Sequence, residues 1–472
     1  MNTLTEPVRA PAGTFKSIPG EFRKHSPLLF PLVLWLAIHP TLAFLSHYSL
    51  ETNAYDLSVF DYALWSTLQG LPGFVPFFGH SLAAHHFMPT LLLLLPVYAL
   101  FPSPVTLIVI QLLAIVGAAI LLYRISKSEL PRPIVTALIL AFLFSTRSYS
   151  ATVSFFYIES LVPLLVFALI LAWNKRRWWR YTVFLILLLG CKEDMALYTS
   201  IFGVVSLLDP EMRKAGLWTL VVSSVWFVLA AGVFIPEART NDGLPRTNPF
   251  IEARYADAEG DVSPTALAGR VLTTRSIEKL FNLTVIVVFL CWASPRWLVV
   301  ALPGILIDLT AKPGSILGFS GHYLWPMLPW VFLAAAAGAR SIHFRWPSRR
   351  NMIAASLIVV TIAGSPLWLA LWRQPWRGLS DAQEVRLQIR DLPAKASYLA
   401  QPNLIPHLPH SLEVVALGRE IDSPKARYLV TSKIGDLWPS SKEGVEGIVA
   451  QYNRDRSYRA LSAGPAFVFE LR

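Results

Sequence analysis

The sequence predicts an all-α polytopic membrane protein that ends in a small α/β domain, and three observations carry this. Hydrophobic residues make up 54% of the 472-residue chain and charged residues only 15%, where a soluble domain is nearer about 25% charged; mean hydropathy is +0.49. Apolar runs recur along the chain, the pattern of helices that cross a bilayer. From about Arg373 the composition changes to that of a mixed soluble domain.

The first 27 residues are polar and contain proline. They read as a cytoplasmic tail before a retained helix, since no small-residue cleavage site follows the first apolar run. Spans are expected near 28–46, 104–123, 133–147, 157–173, 178–190, 195–208, 216–235, 281–293, 297–310, 323–339 and 352–371. The net charge of +11 does not point to nucleic acid, because the basic residues sit in short clusters between apolar runs. The tail and the loops "YRISKSELPR", "NKRRWWR", "DPEMRK", "SPR" and "RSIHFRWPSRR" hold eighteen Lys/Arg against five acids. That asymmetry places them in the cytoplasm. Cys191 and Cys291 lie in or beside apolar runs, so no structural disulfide is expected.

The stretch "MPTLLLLLPVYALFPSP" (88–104) either crosses or re-enters, and the basic cluster from Arg124 favours re-entry; the count is 11–13 helices. An odd number of crossings places the C-terminal domain (373–472) outside. Two long loops of the 28–372 transmembrane domain, 46–87 and 236–280, face the same side, as long loops with a function do. Within the last domain "DAQEVRLQIRDL" and "EGVEGIVAQYNRD" read as helices. "ASYLAQ", "LEVVAL" and "RYLVTS" read as strands, and "YRALSAGPAFVFEL" as a closing hairpin.

Ionisable residues gather on that outer face. In "ETNAYDLSVFDYALW", Leu57, Phe60, Leu64 and Leu68 recur at helical spacing, which predicts an amphipathic helix on the outer surface. Asp56 begins it, as helix cap or functional carboxylate; Asp61 is a second candidate catalytic carboxylate, or a solvated surface residue. In "GHSLAAHHFMPT", His80, His85 and His86 can hold a divalent metal (His80 and His85 foremost) or contact a phosphate; the spacing matches no standard zinc motif. In "LLLGCKEDMALY", a 178–190 helix is about 20 Å long against a ~30 Å hydrocarbon core. Lys192, Glu193 and Asp194 therefore lie below the surface, paired or facing a wet cavity. Glu159 in "SFFYIES", and His322 and Tyr323 in "FSGHYLWPMLPW", begin further spans on that face. Together they predict one outward-facing polar cavity.

The ordered motifs "AYDLSVFDYALW", "HHFMPTLLLLLPVYALFPSP", "FFYIES", "CKEDMALY" and "GHYLWPMLPW" resemble a family of bacterial polytopic membrane proteins, a domain of unknown function grouped with the GT-C glycosyltransferases. The resemblance implies a GT-C-like helical bundle in the bacterial inner membrane. It implies hexosyl or pentosyl transfer from a polyprenyl-phosphate sugar to an envelope acceptor, with Asp56 as catalytic base or positioning the acceptor, and His86 or Lys192 meeting the phosphate. Tyr157 stands where relatives often carry His. The chemistry needs a base for the acceptor hydroxyl and cations for the departing phosphate, with a divalent metal as the open question. Two rival readings are a transporter or flippase for a lipid-linked or polar substrate, and a non-catalytic envelope assembly protein.

Overall fold

The computed structural model describes residues 18–145, 156–247, 254–256, 263–271, 273–312, 321–365, 368, 378–418 and 426–472. Residues 1–17 of the expected cytoplasmic tail, parts of the 236–280 loop and the ends of the 133–147 and 352–371 runs lie outside the described residues.

Helices dominate. Helix α1 (Ile18–Tyr48) contains Pro27, Pro31 and Pro40, tolerated where neighbouring helices satisfy the freed backbone groups. After it come α2 (Val59–Leu68), the short α3 (Leu95–Leu100) and α4 (Pro104–Ser126). The Ser103 hydroxyl caps α4 by accepting from the Val105 amide at 3.3 Å, with proline in the first turn. Next are α5 (Arg132–Phe144), α6 (Val162–Asn174), α7 (Trp178–Leu189), α8 (Met195–Leu207) and α9 (Arg213–Leu229). The last of these continues through a π-helical turn to Asn241.

Among the described residues, three helices are long and apolar enough to cross a membrane: His25–Tyr48, Pro104–Ser126 and Arg213–Asn241. Others are apolar but only 10–17 residues long, such as Arg132–Phe144 and Met195–Leu207. The expected 281–293 and 297–310 runs are broken. Positive φ at Val288 and Phe289 interrupts the first, and the second splits into Pro295–Leu298, a 3-10 turn and Leu302–Thr310.

Helices α8 and α9 touch through glycine. A Cβ on Gly203 would lie 2.8 Å from the Leu220 nitrogen, and one on Gly216 would lie 2.9 Å from the Gly203 oxygen. Small residues let apolar helices approach at backbone distance. The Ser223 hydroxyl donates to Thr199 Oγ1 at 2.7 Å across the same pair.

Segment 88–104 packs against α2 and the end of α7. Its Thr90 amide donates to the Gly190 carbonyl at 2.9 Å and its Tyr98 hydroxyl to Asp61 Oδ1 at 2.6 Å. The expected surface helix also differs: Val59, Phe60, Asp61, Tyr62, Ala63 and Leu64 are all buried. The reason is that a second layer covers it.

That layer is the C-terminal domain. Strands β1 (Phe74–Val75) and β2 (His80–Ser81) form a hairpin in the first loop. The tail then supplies β3 (Tyr398–Ala400), β4 (Val414–Ala416), β5 (Tyr428–Ser432), β6 (Tyr458–Ala463) and β7 (Ala466–Leu471) in the order β4-β3-β5-β7-β6. The β3 strand pairs in parallel with both β4 and β5, while β7 runs antiparallel between β5 and β6. Helices Leu379–Arg390 and Lys442–Arg454 complete it. The sheet domain docks on residues 47–65: the Ala54 amide donates to the Pro402 carbonyl at 2.9 Å and the Asp436 amide to the Leu50 carbonyl at 3.0 Å.

Gly435 makes this docking possible. Its φ is +84°, a left-handed backbone conformation that side chains rarely adopt, and a Cβ there would sit 2.3 Å from the Leu50 oxygen. We expect Gly435→Ala to cost about 1–3 kcal/mol. Hydrogen exchange checks this: the Ala54 and Asp436 amides should lose protection together, while α8 and α9 keep theirs.

Candidate functional site

The site begins at Asn53. Its Oδ1 accepts from the Tyr55 amide at 3.0 Å, starting a π-helical turn over Ala54–Ser58, while its Nδ2 donates to Asp436 Oδ2 at 3.1 Å. The turn presents Asp56, half-buried, to the Tyr157 hydroxyl, which donates to Asp56 Oδ1. Burial pushes the Asp56 carboxyl up to about 7, against the pull of the Tyr157 bond and with the charge of Asp436 adding to the rise. The groups acting on this carboxyl are a phenol, an amide and another acid, not a cation.

Tyr157 is also part of a cavity of about 450 Å³, lined by His85, His86, Glu159, Lys192, His322 and Tyr323 among others; this is the size of a small-ligand pocket. The His322 ring stacks on Tyr157 at 3.7 Å and lies 3.9 Å from that of Tyr323. Arg254 donates to the Tyr323 hydroxyl at 3.0 Å and faces the cavity too.

Lys192 does not pair with its neighbours in sequence. Its Nζ donates to Glu159 Oε1 at 2.8 Å, with both side chains buried. Glu159 Oε2 has no hydrogen-bond partner among the described residues. Glu193 turns the other way: Oε1 takes His86 Nδ1 at 2.7 Å and Oε2 accepts from the Phe87 amide at 3.1 Å. Glu193 therefore orients His86 from behind.

His80 and His85 face each other, Nε2 to Nε2, at 3.0 Å. Burial, then the neighbouring His80, His86 and Arg239, hold His85 down at about 4, a neutral imidazole at physiological pH. Among the described residues no three His, Cys, Asp or Glu side chains gather as a metal site would need. The second loop clasps the first here. Asp242 Oδ2 accepts from the Ser81 amide at 2.9 Å and its hydroxyl at 2.6 Å, and Arg239 donates to the Ala84 carbonyl at 3.1 Å.

Asp61 lies apart from the cavity lining. Buried at 1% exposure, it accepts from Tyr98 and takes His410 Nε2 at 2.7 Å, and the His410 ring stacks on Trp65 at 5.0 Å. The structure thus brings Asp56, His85, His86, Glu159, Lys192, Glu193, His322 and Tyr323 together, with His80 behind His85 and Asp61 at the domain contact. Sequence reasoning missed Arg254, Asp436 and His410. Arg254 sits in a loop with charges of both signs, and the other two carry no local motif.

The family described as "Predicted membrane protein (DUF2079)" matches residues 46–434, from the last residues of α1 to just past β5. No curated protein matches the chain.

Two outcomes are expected. Lys192→Met leaves Glu159 buried and alone and should cost about 3–5 kcal/mol, whereas the Lys192→Met/Glu159→Leu pair should recover most of that; thermal unfolding of the purified chain reads both. At the domain contact, burial opposes a charge on His410 but the Asp61 carboxylate outweighs it, raising the imidazole above its ordinary value. A raised folded value means the pair stabilises fully below the unfolded value of about 6.5 and loses its effect as pH rises through the folded one. Unfolding midpoints of the wild type should therefore fall on that alkaline side, and Asp61→Asn should flatten the dependence.

Proposed function

The chain belongs to the DUF2079 family of predicted membrane proteins, and from that premise we propose that it is an integral membrane glycosyltransferase of the GT-C kind. In this reading its bundle crosses the bacterial inner membrane 11–13 times, and the cavity and C-terminal domain face outward. It moves a hexosyl or pentosyl group from a polyprenyl-phosphate donor to an envelope acceptor. One observation carries the reading: a carboxyl with a value near 7 hangs on a tyrosine of the cavity wall, while Lys192, Arg254 and His86 line the same cavity.

The roles follow from the chemistry. Asp56 takes the proton of the acceptor hydroxyl as its oxygen attacks the anomeric carbon. The bond from that carbon to the phosphate oxygen breaks, and the electron pair leaves with polyprenyl phosphate. A base is most effective when its value lies near the working pH, which suits Asp56 better than an ordinary exposed aspartate. Lys192, held by Glu159, and Arg254, held by Tyr323, sit where a phosphate in the cavity meets fixed positive charge. His86 is aimed by Glu193.

One observation favours transport instead. Below the cavity a small void is lined by Glu159, Lys192, Asp194, Tyr198 and Asp308, and Lys279 pairs with Asp308 at 2.8 Å. Ionisable groups at several depths suit a translocation path.

The test is release of polyprenyl phosphate by the full chain in lipid, given a panel of polyprenyl-phosphate sugars and crude envelope acceptors. Asp56→Asn should lower release by about 10²–10⁴-fold while leaving the unfolding midpoint close to that of the wild type. The acidic limb of the rate profile should lie near pH 7. Tyr157→Phe removes the bond that lowers the Asp56 value, so its limb should move to higher pH. Uptake of a labelled donor without any release would sink the enzyme reading and support transport.

A further inference from the structure

The outer cavity uses one end of α6 and α8, and the opposite end of the same helices builds a second cavity. Glu159 and Lys192 precede the first turns of α6 and α8, whereas Trp173, Lys175, Ser206 and Asp209 lie at or beyond their last turns. At 1.5 Å per residue the two cavities stand about 20 Å apart. The second encloses about 520 Å³, and nothing in the proposed transfer uses it.

Its charges are unequal in partnership. Of the acids, Glu211 is taken by Arg176, Glu129 by Arg340 at 3.1 Å, and Asp209 Oδ1 accepts from the Glu211 amide at 3.1 Å. Of the cations, the side chains of Arg124 at the end of α4, Lys175 after α6 and Arg296 in the Pro295–Leu298 turn have no ion pair or hydrogen bond to any described residue. Three separate elements thus bring three unpaired cations to the rim of one cavity. Like charges so placed repel, and with Asp209 the one lining acid that has no cation partner, three unpaired cations against it leave a net positive charge for an anion to meet. The floor is aromatic: Trp173 is buried and packs on Phe202 at 5.0 Å, and Phe202 stacks with Trp297 at 6.0 Å.

Depth identifies the surroundings. The exposed Trp178 and Trp179 follow directly after Lys175, Arg176 and Arg177, with Arg180 over the Trp179 ring at 5.2 Å. Indoles beside Lys and Arg mark the headgroup level of a bilayer. Leu208, 77% exposed beside the cavity, offers apolar surface at the same level.

We propose that this second cavity is a phosphate-binding site, filled by the phosphodiester headgroup of an anionic lipid. Two arginine forks match phosphate oxygens in pairs, the lysine adds a point charge, and the acyl chains run outward past Leu208. The site is independent of the transfer reading and stands whether or not the outer cavity is catalytic.

The experiment places the full chain in nanodiscs of phosphatidylcholine doped with phosphatidylglycerol and counts retained lipid by native mass spectrometry. In parallel, the detergent-solubilised chain is titrated with inorganic phosphate and its unfolding midpoint recorded. The expected result is at least about a tenfold enrichment of phosphatidylglycerol. The variant R124Q/K175Q/R296Q should lose it, and the exposed basic control R345Q/R349Q/R350Q should keep it. Stabilisation by inorganic phosphate that the cavity variant abolishes, with no lipid enrichment, would keep the phosphate site and overturn the lipid as its source. Equal loss in the control variant, or no response to either probe, would overturn the site itself. Should the triple variant unfold, Arg296→Gln alone serves, with a partial loss expected.

Discussion

The contact among Asp61, Tyr98 and His410 is the constraint on which the outer half of the molecule depends. Three pieces of chain far apart in sequence meet there: α2, the short segment after the first loop, and the C-terminal domain. A carboxylate at 1% exposure is tolerable only with full hydrogen bonding, so α2 can be buried only if both partners arrive. Once α2 is fixed, the π-helical turn preceding it aims Asp56 at Tyr157. The geometry of the candidate base thus rests on a carboxylate that does not line the cavity.

A second dependence runs through Glu193. By taking His86 and the Phe87 amide, it pins the end of the first loop to the turn between α7 and α8. Lys192, the preceding residue, is thereby left to Glu159 on the other side. The adjacent residues face opposite ways, and each fixes a different wall of the cavity. The clasp of Asp242 on Ser81 closes the remaining side with the second long loop.

Much of this was legible in the sequence, for a physical reason. Charge is scarce in an apolar chain, so Glu159, Lys192, Glu193 and His322 had few places to be except a shared polar pocket. The short run of aromatic and β-branched residues in "RYLVTS" likewise reports a strand, and the structure has one over Tyr428–Ser432. Asp61 was harder. Its spacing, four residues after Leu57 and three before Leu64, puts it on the apolar side of the helix, but periodicity records only which residues lie on one side of a helix. It is silent on whether a domain 349 residues later folds back over the other side. Arg254 was invisible for a related reason: its partner Tyr323 lies 69 residues away, and loop charges carry no period. The broken runs near Val288 and Leu302 show that apolar length alone does not specify an unbroken helix.

The separation between Asp61 and His410 also sets an order of events in the making of the molecule. A ribosome adding about 5–20 residues per second needs roughly 17–70 s to travel the 349 residues between them. For that interval α2 carries an acid whose eventual partner does not exist. Helix α2 is synthesised early and the domain that covers it last. A chain cut short before His410 keeps every cavity-lining residue yet lacks the imidazole that makes burying α2 tolerable. Synthesis past His410 and closure over the first loop are therefore linked, and a copy that stops short of it betrays itself by an exposed, unsatisfied α2.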